Sequence, residues 1–173
     1  WIASTISPGV LLVGGTFESW SGFPATLRQM GYTTVTVEGG ATAPGVRAML
    51  DVLSAQPGVN GSQLLIIGVE LGADAGFLGC ALDSRCLASV LLSPQVGADL
   101  EAAMADYNPR PVLLAASQED SASLRAAERV RQAATGPALL QSFEGAGRGT
   151  QILLNRPDVV TLIGNFLNEV TGR

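Results

Sequence analysis

The chain has 173 residues, 47% of them apolar and 14% charged, with a net charge of −5. This length suits a single domain spanning residues 1–173, and the apolar content argues against disorder over most of it. No apolar run approaches the roughly 20 residues of a membrane span, and an acidic chain without a basic cluster argues against a nucleic-acid partner.

The residue types that are missing narrow the chemistry further. There is no histidine, and all ten basic residues are arginine. A Ser-His-Asp triad, a Cys-His pair, a histidine metal site, a P-loop lysine and a Schiff-base lysine are therefore not encoded. No cofactor or metal is expected. The chain opens on Trp1 rather than methionine, which reads as a processed or trimmed start with any signal peptide lying upstream.

In chain order, apolar β-rich runs alternate with helical patterns. The first strand is predicted at residues 9–14 and leads into Gly14-Gly15-Thr16-Phe17-Glu18; a helix follows at 24–30. The second strand, 33–38, carries Thr33, Thr34 and Thr36 and so has a more polar face than its neighbours; a helix follows at 44–55. The third strand, 63–68, runs through Gly68-Val69-Glu70-Leu71-Gly72 into a helix at 71–82. Cys80 and Cys86 then bracket a short turn. Their spacing is wrong for a CxxC pair, and two thiols alone do not make a zinc site. They either form a short-loop disulfide, which favours an extracytoplasmic location, or remain unlinked with at least one filling the core.

The fourth strand, 87–92, ends at Ser93-Pro94, where Ser93 reads as a turn residue rather than a nucleophile; a helix follows at 98–104. The fifth, 111–116, leads through Ser117-Gln118-Glu119-Asp120 to a helix at 122–134. The sixth, 138–143, leads through Glu144-Gly145-Ala146-Gly147-Arg148-Gly149 to a last helix at 157–170, which starts on Pro157 and stacks Val159, Leu162, Ile163, Phe166, Leu167 and Val170 on one stripe. Continuous apolar strands alternating with helices predict an α/β three-layer sandwich with a mostly parallel sheet of about six strands, and sites at the carboxyl ends of those strands. Asp51, Asp74, Asp83 and Asp99 read as solvated side chains on helices and turns. Trp1 and Trp20 are read as either exposed or covering an edge of the core. Gly14-Gly15-Thr16 by itself could also cradle a phosphate, but no basic residue stands near it in sequence.

Gly68-Val69-Glu70-Leu71-Gly72 has the strand–turn–helix context and glycine spacing of the nucleophile elbow, Gly-x-Ser-x-Gly, of the α/β-hydrolases. The rest of the chain resembles a bacterial esterase or dienelactone-hydrolase relative. Gly9 to Gly15 resembles the strand that ends in the family's oxyanion segment, Leu92-Ser93-Pro94 the strand after the elbow helix, and Asp120 falls where the family keeps its acid. The run from Glu144 to Gly149 resembles the family's Gly-x-Gly-His-Gly loop. The family's first two strands have no counterpart, which implies a minimal version of the fold with strand 33–38 at a sheet edge, open to a protein partner.

The resemblance implies an oxyanion-like pocket of Gly14, Gly15, Thr16, Phe17 and Leu71, and degenerate triad positions at Glu70, Asp120 and Arg148. Glu70 stands where the family has serine and Arg148 where it has histidine. Arginine stays protonated and cannot serve as the base that acyl transfer needs. The expected function is a catalytically inactive α/β-hydrolase-like domain that acts as a binding or interaction module, with a small polar ligand or a protein as partner. The alternative is a weak hydrolase using the Glu70 and Asp120 carboxylates. Glu70 and Arg148 are expected within salt-bridge distance, with Asp120 on the far side of the guanidinium.

Overall fold

The computed structural model describes residues 6–173, so Trp1 lies outside the described residues. Six strands form one sheet: β1 (Ser7–Val13), β2 (Thr33–Val37), β3 (Val59–Val69), β4 (Cys86–Leu92), β5 (Val112–Ser117) and β6 (Ala138–Phe143). Their order is β2-β1-β3-β4-β5-β6, and every neighbouring pair is parallel. The helices are α1 (Phe23–Gln29), α2 (Ala43–Ser54), α3 (Leu71–Ala81), α4 (Gly97–Tyr107), α5 (Ser121–Ala133), α6 (Gln151–Asn155) and α7 (Pro157–Thr171).

Alternation along the strands creates two cores, one on each face. Val10 and Leu12 of β1, Leu65 and Ile67 of β3, and Val90 and Leu92 of β4 pack with Phe23 and Leu27 of α1 and Ile163 and Leu167 of α7. Leu11, Val13, Leu64, Ile66 and Leu114 point the other way, against Leu50 of α2, Phe77 of α3, Met104 of α4 and Val130 of α5. Trp20 belongs to the first core; it is 1% exposed and stacks on Phe23 with ring centroids 6.1 Å apart. The three-layer α/β sandwich expected from the sequence is the one observed.

The elements differ from expectation in two places. β3 begins at Val59 rather than 63, because Val59 and Asn60 pair with Ser7 and Pro8 ahead of a register shift. The polar run Asn60-Gly61-Ser62 reads as a turn and conceals this pairing. α6 has only five residues, too few to show a helical period.

β2 lies at one edge of the sheet, as its threonines suggested, and no strand among the described residues pairs with its outer side. The opposite end of the strands is stapled. Cys80 and Cys86 form a disulfide with Cα atoms 5.3 Å apart, joining the end of α3 to the start of β4. The Arg110 guanidinium donates to the carbonyls of Cys80, Asp83 and Cys86 through Nη1, of Ala81 and Asp106 through Nη2, and of Tyr107 through Nε. It thereby adds a charged donor to carbonyls at the ends of α3 and α4 and in the turn into β4, several of which already accept a main-chain amide. Asp83 is not the solvated residue its turn position suggested: its carboxylate is 6% exposed and takes Arg85 Nη2 at 2.6 Å and Nε at 2.9 Å, which holds it below the usual carboxylate range. Asp51 takes the same Nη2 at 2.6 Å yet stays exposed, as does Asp99, in line with expectation.

A bridge closing so short a loop stabilises mainly by restricting the unfolded chain, by about 2 kcal/mol. Reduction, or the double substitution Cys80→Ala/Cys86→Ala, is therefore expected to lower the urea-unfolding free energy by about that amount. Titration of the unfolded chain should find no free thiol before reduction and two after it.

Candidate functional site

Strand order reverses between β1 and β3, because β1 connects to β2 on one side and the rest of the sheet grows on the other. At such a switch point the outgoing loops diverge and leave a crevice at the carboxyl edge. The loops after β1 and β3 flank it, and both are glycine-rich. A Cβ on Gly14 would lie 2.6 Å from the Val69 carbonyl oxygen, and one on Gly72 would lie 2.5 Å from Gly14 Cα. The backbones of β1, β3 and α3 meet here without room for side chains.

Glu70 sits at the apex of this turn with φ 53° and ψ −127°, a left-handed conformation that costs a non-glycine residue about 1–3 kcal/mol. It is held there by its amide donating to the Leu92 carbonyl at 2.9 Å and by its own carbonyl receiving the Ala73 amide at 3.0 Å. Its side chain is exposed, with the carboxylate beside the backbone of Gly149.

Asp120 occupies the cap of α5. Its Oδ1 accepts from the Ser123 amide at 3.2 Å and its Oδ2 from the Ser123 hydroxyl at 2.7 Å. Arg148 closes on the same carboxylate as a fork, with Nε to Oδ2 at 2.6 Å and Nη2 to Oδ1 at 3.0 Å. The guanidinium, more than the Ser123 contacts, pulls the Asp120 carboxyl down to about 2 against an opposing effect of burial. Arg148 itself is pushed above its ordinary value, chiefly by Asp120; Glu70 contributes least.

This geometry corrects one sequence expectation. Glu70 and Arg148 face the same recess but form no ion pair within 4 Å; the ion pair of Arg148 is with Asp120. The reason is local. The loop carrying Arg148 is tied to the ends of β5 and β4: Gly145 donates to Glu119 Oε1 at 3.0 Å and Ala146 to Ser117 Oγ at 3.2 Å after β5, and Gly149 to Ser93 Oγ at 2.9 Å after β4. Glu119 also accepts from the Ser117 hydroxyl. Ser93, at φ 56° and fully buried, is a loop anchor, in keeping with its reading as a turn residue.

Asp74 is likewise not a solvated residue. It is 5% exposed, accepts from the Gln95 and Val96 amides at 2.9 Å each, and its pKa is raised by burial. The Gln95 side chain donates in turn to Ser93 O at 2.8 Å and Ser123 Oγ at 3.0 Å. This relay joins α3 to the cap that holds Asp120.

Of the oxyanion-like residues, Gly14, Gly15 and Leu71 line a recess of about 320 Å³ beside Glu70. Thr16 and Phe17 do not line it, and their amides are already engaged: Thr16 donates to Ser19 Oγ at 3.0 Å and Phe17 to Glu38 Oε1 at 2.7 Å. Nothing in the sequence marks Ser19 for this contact, and the one signal for Glu38 is its place at the end of the second strand. On the other side of Glu70 a recess of about 560 Å³ is bordered by Glu18, Ser21, Arg148 and Leu154. Among the described residues, no group of three or more metal-ligating side chains occurs and no helix is long and apolar enough to cross a membrane.

No family model matches the chain, and no curated protein matches it in sequence. Solved structures do match it in fold. The esterase domain of a Rhodothermus marinus protein superposes with a TM-score of 0.73 at 18% identity, over 97% of this chain and 87% of that one. The dienelactone hydrolase of Anabaena variabilis gives 0.73 at 16%, over 94% and 84%. The α/β-hydrolase GrgF of a Penicillium species gives 0.79 at 10%, over 99% and 92%. The chain has the α/β-hydrolase fold.

The ion pair sets a pH signature. A carboxyl held near 2 when folded and near its ordinary 3.8 when unfolded contributes stability that is complete above 3.8 and lost as pH falls toward 2. Arg148→Gln is expected to raise the Asp120 midpoint and flatten the acid limb of the stability curve between those values, whereas Glu70→Gln leaves both nearly unchanged. Carbon-detected carboxyl titration and acid-series denaturation check this.

Proposed function

We propose that this α/β-hydrolase-like domain has lost acyl-transfer chemistry and acts as a binding or interaction module, with Glu70, Asp120 and Arg148 at the degenerate triad positions. The observation that carries this reading is the fork between Arg148 and Asp120 at the edge of the recess that holds Glu70. Acyl transfer needs a group there that takes and returns a proton near neutral pH. A guanidinium bound to a carboxylate does neither, and a carboxyl near 2 is a poor base. The loop amides of Thr16 and Phe17 give further support, since donors already satisfied by Ser19 and Glu38 are not aimed at a developing oxyanion.

The recesses on either side of Glu70 suit a small polar or cationic ligand, because Glu70 offers an exposed carboxylate with no ion-pair partner within 4 Å among the described residues.

The test is hydrolysis of p-nitrophenyl acetate and butyrate by the wild type and by Glu70→Ala. Rates at the solvent background for both are expected; wild-type turnover abolished by Glu70→Ala overturns the proposal in favour of carboxylate catalysis. A thermal-shift screen of small amines and polar metabolites at a hundredfold excess over Kd should raise Tm by about 5 °C or more for a true ligand. That shift should disappear in Glu70→Gln.

A further inference from the structure

Among the described residues the outer side of β2 is unpaired, an edge of a kind that folded proteins usually protect. Its five residues, Thr-Thr-Val-Thr-Val, are all β-branched and include no proline, glycine or charge. The Val37 carbonyl points inward, accepting from Gly14 N at 2.9 Å. By alternation, the amides and carbonyls of Thr34 and Thr36 point outward. Val35 and Val37 pack on the face covered by α2, so Thr34 and Thr36 project on the face covered by α1.

Two charges flank this edge on that same face. Arg28, exposed at the end of α1, lays its Nη1 3.2 Å from Thr34 Oγ1 and has no carboxylate within salt-bridge reach among the described residues. Glu38 follows β2 in the same alternation as Thr34 and Thr36. Its Oε1 accepts the Phe17 amide, and no cation pairs with it among the described residues.

We propose that two copies of this chain pair antiparallel through the outer edges of β2, about a two-fold axis at Thr36, joining two six-stranded sheets into one. In this register Thr36 faces its own copy and Thr34 faces Glu38 of the other. Both pairings use the outward amides and carbonyls, as hydrogen-bonded pairs of an antiparallel ladder require. Directly opposed residues share a face, so Arg28 beside Thr34 meets Glu38 of the other copy, twice per dimer by symmetry. A register slip of two residues, which moves the axis by one, separates these charges, so the charge pattern selects the register. A second copy fits this edge because the chain itself supplies both halves of the complementarity.

Sedimentation velocity over the micromolar range tests this. The wild-type chain is expected to show a reversible monomer–dimer equilibrium that weakens with salt. Arg28→Glu and Glu38→Arg each place like charges opposite one another and should each raise the dimer Kd about tenfold or more. Mixing the two variants restores opposite charges across the interface, and a heterodimer near wild-type affinity should form. Thr36→Pro, which removes an outward amide, should give a monomer whose circular dichroism matches the wild type. A wild-type chain that stays monomeric, a dimer that none of these changes weakens, or a mixture that fails to recover overturns the proposal.

Discussion

The backbone contact among β1, β3 and the start of α3 is the constraint on which the rest of the site depends. Gly14, Gly68 and Gly72 allow main chains to touch where a Cβ on Gly68 would lie 2.7 Å from the Gly72 carbonyl oxygen. With the helix docked so closely, the connecting residue must turn sharply, and Glu70 takes the left-handed geometry that results. The same docking buries almost all of α3, so that Gly76 and Gly79 lie against Ile66 and Val46 side chains and the Phe77 ring meets that of Tyr107 at a 36° tilt with centroids 4.4 Å apart. Burial that extensive offsets a strained residue at the apex, since a few kcal/mol of strain is small beside a helix of buried apolar surface.

Electrostatics then divides the carboxyl edge into two parts. On the β5–β6 side, charge is matched locally: Asp120 takes the Ser123 amide and the Arg148 fork, while Glu119 takes the Ser117 hydroxyl and the Gly145 amide. On the β1–β3 side, Glu70 remains an exposed carboxylate without an ion-pair partner within 4 Å among the described residues. Wiring of the first kind fixes a loop, because several of its main-chain and side-chain donors are each held by an acceptor within hydrogen-bond distance. A carboxylate of the second kind keeps its capacity for an external donor.

The amino edge of the sheet is managed differently. There the carbonyl-rich ends of α3 and α4 converge on Arg110, whose six contacts to main-chain oxygens use a guanidinium as an internal cap beside the disulfide. Arginine suits this role because its rigid fork serves several acceptors at once and stays charged in a partly desolvated setting. One edge of the sheet is thus held by covalent and main-chain ties, and the other by side-chain hydrogen bonds around recesses.

The sequence by itself determined the elements that depend on local pattern. Unbroken apolar runs marked the strands buried on both faces, the threonines of β2 marked an edge, and Gly68-Val69-Glu70-Leu71-Gly72 marked the sharp turn after β3. Those signals survive without tertiary context because each comes from sterics or burial within a few residues. Partner choice among charges did not survive. The sequence places Arg148 on Glu70, but Ser117 and Glu119 at the end of β5 and Ser93 after β4 tie its loop beside Asp120, through contacts that span 26 to 56 residues. Asp74 reads as solvated because its sequence neighbourhood carries no record of the Gln95 and Val96 amides that satisfy it, whereas the partner of Asp83, Arg85, stands two residues away and shows only once the turn between them has formed. Glu38 could be placed at a strand end but not against the Phe17 amide, since that contact exists only once β1 and β2 lie side by side. Where a charge ends up depends on distances among elements far apart in the chain, and those distances are set only when the sheet has formed.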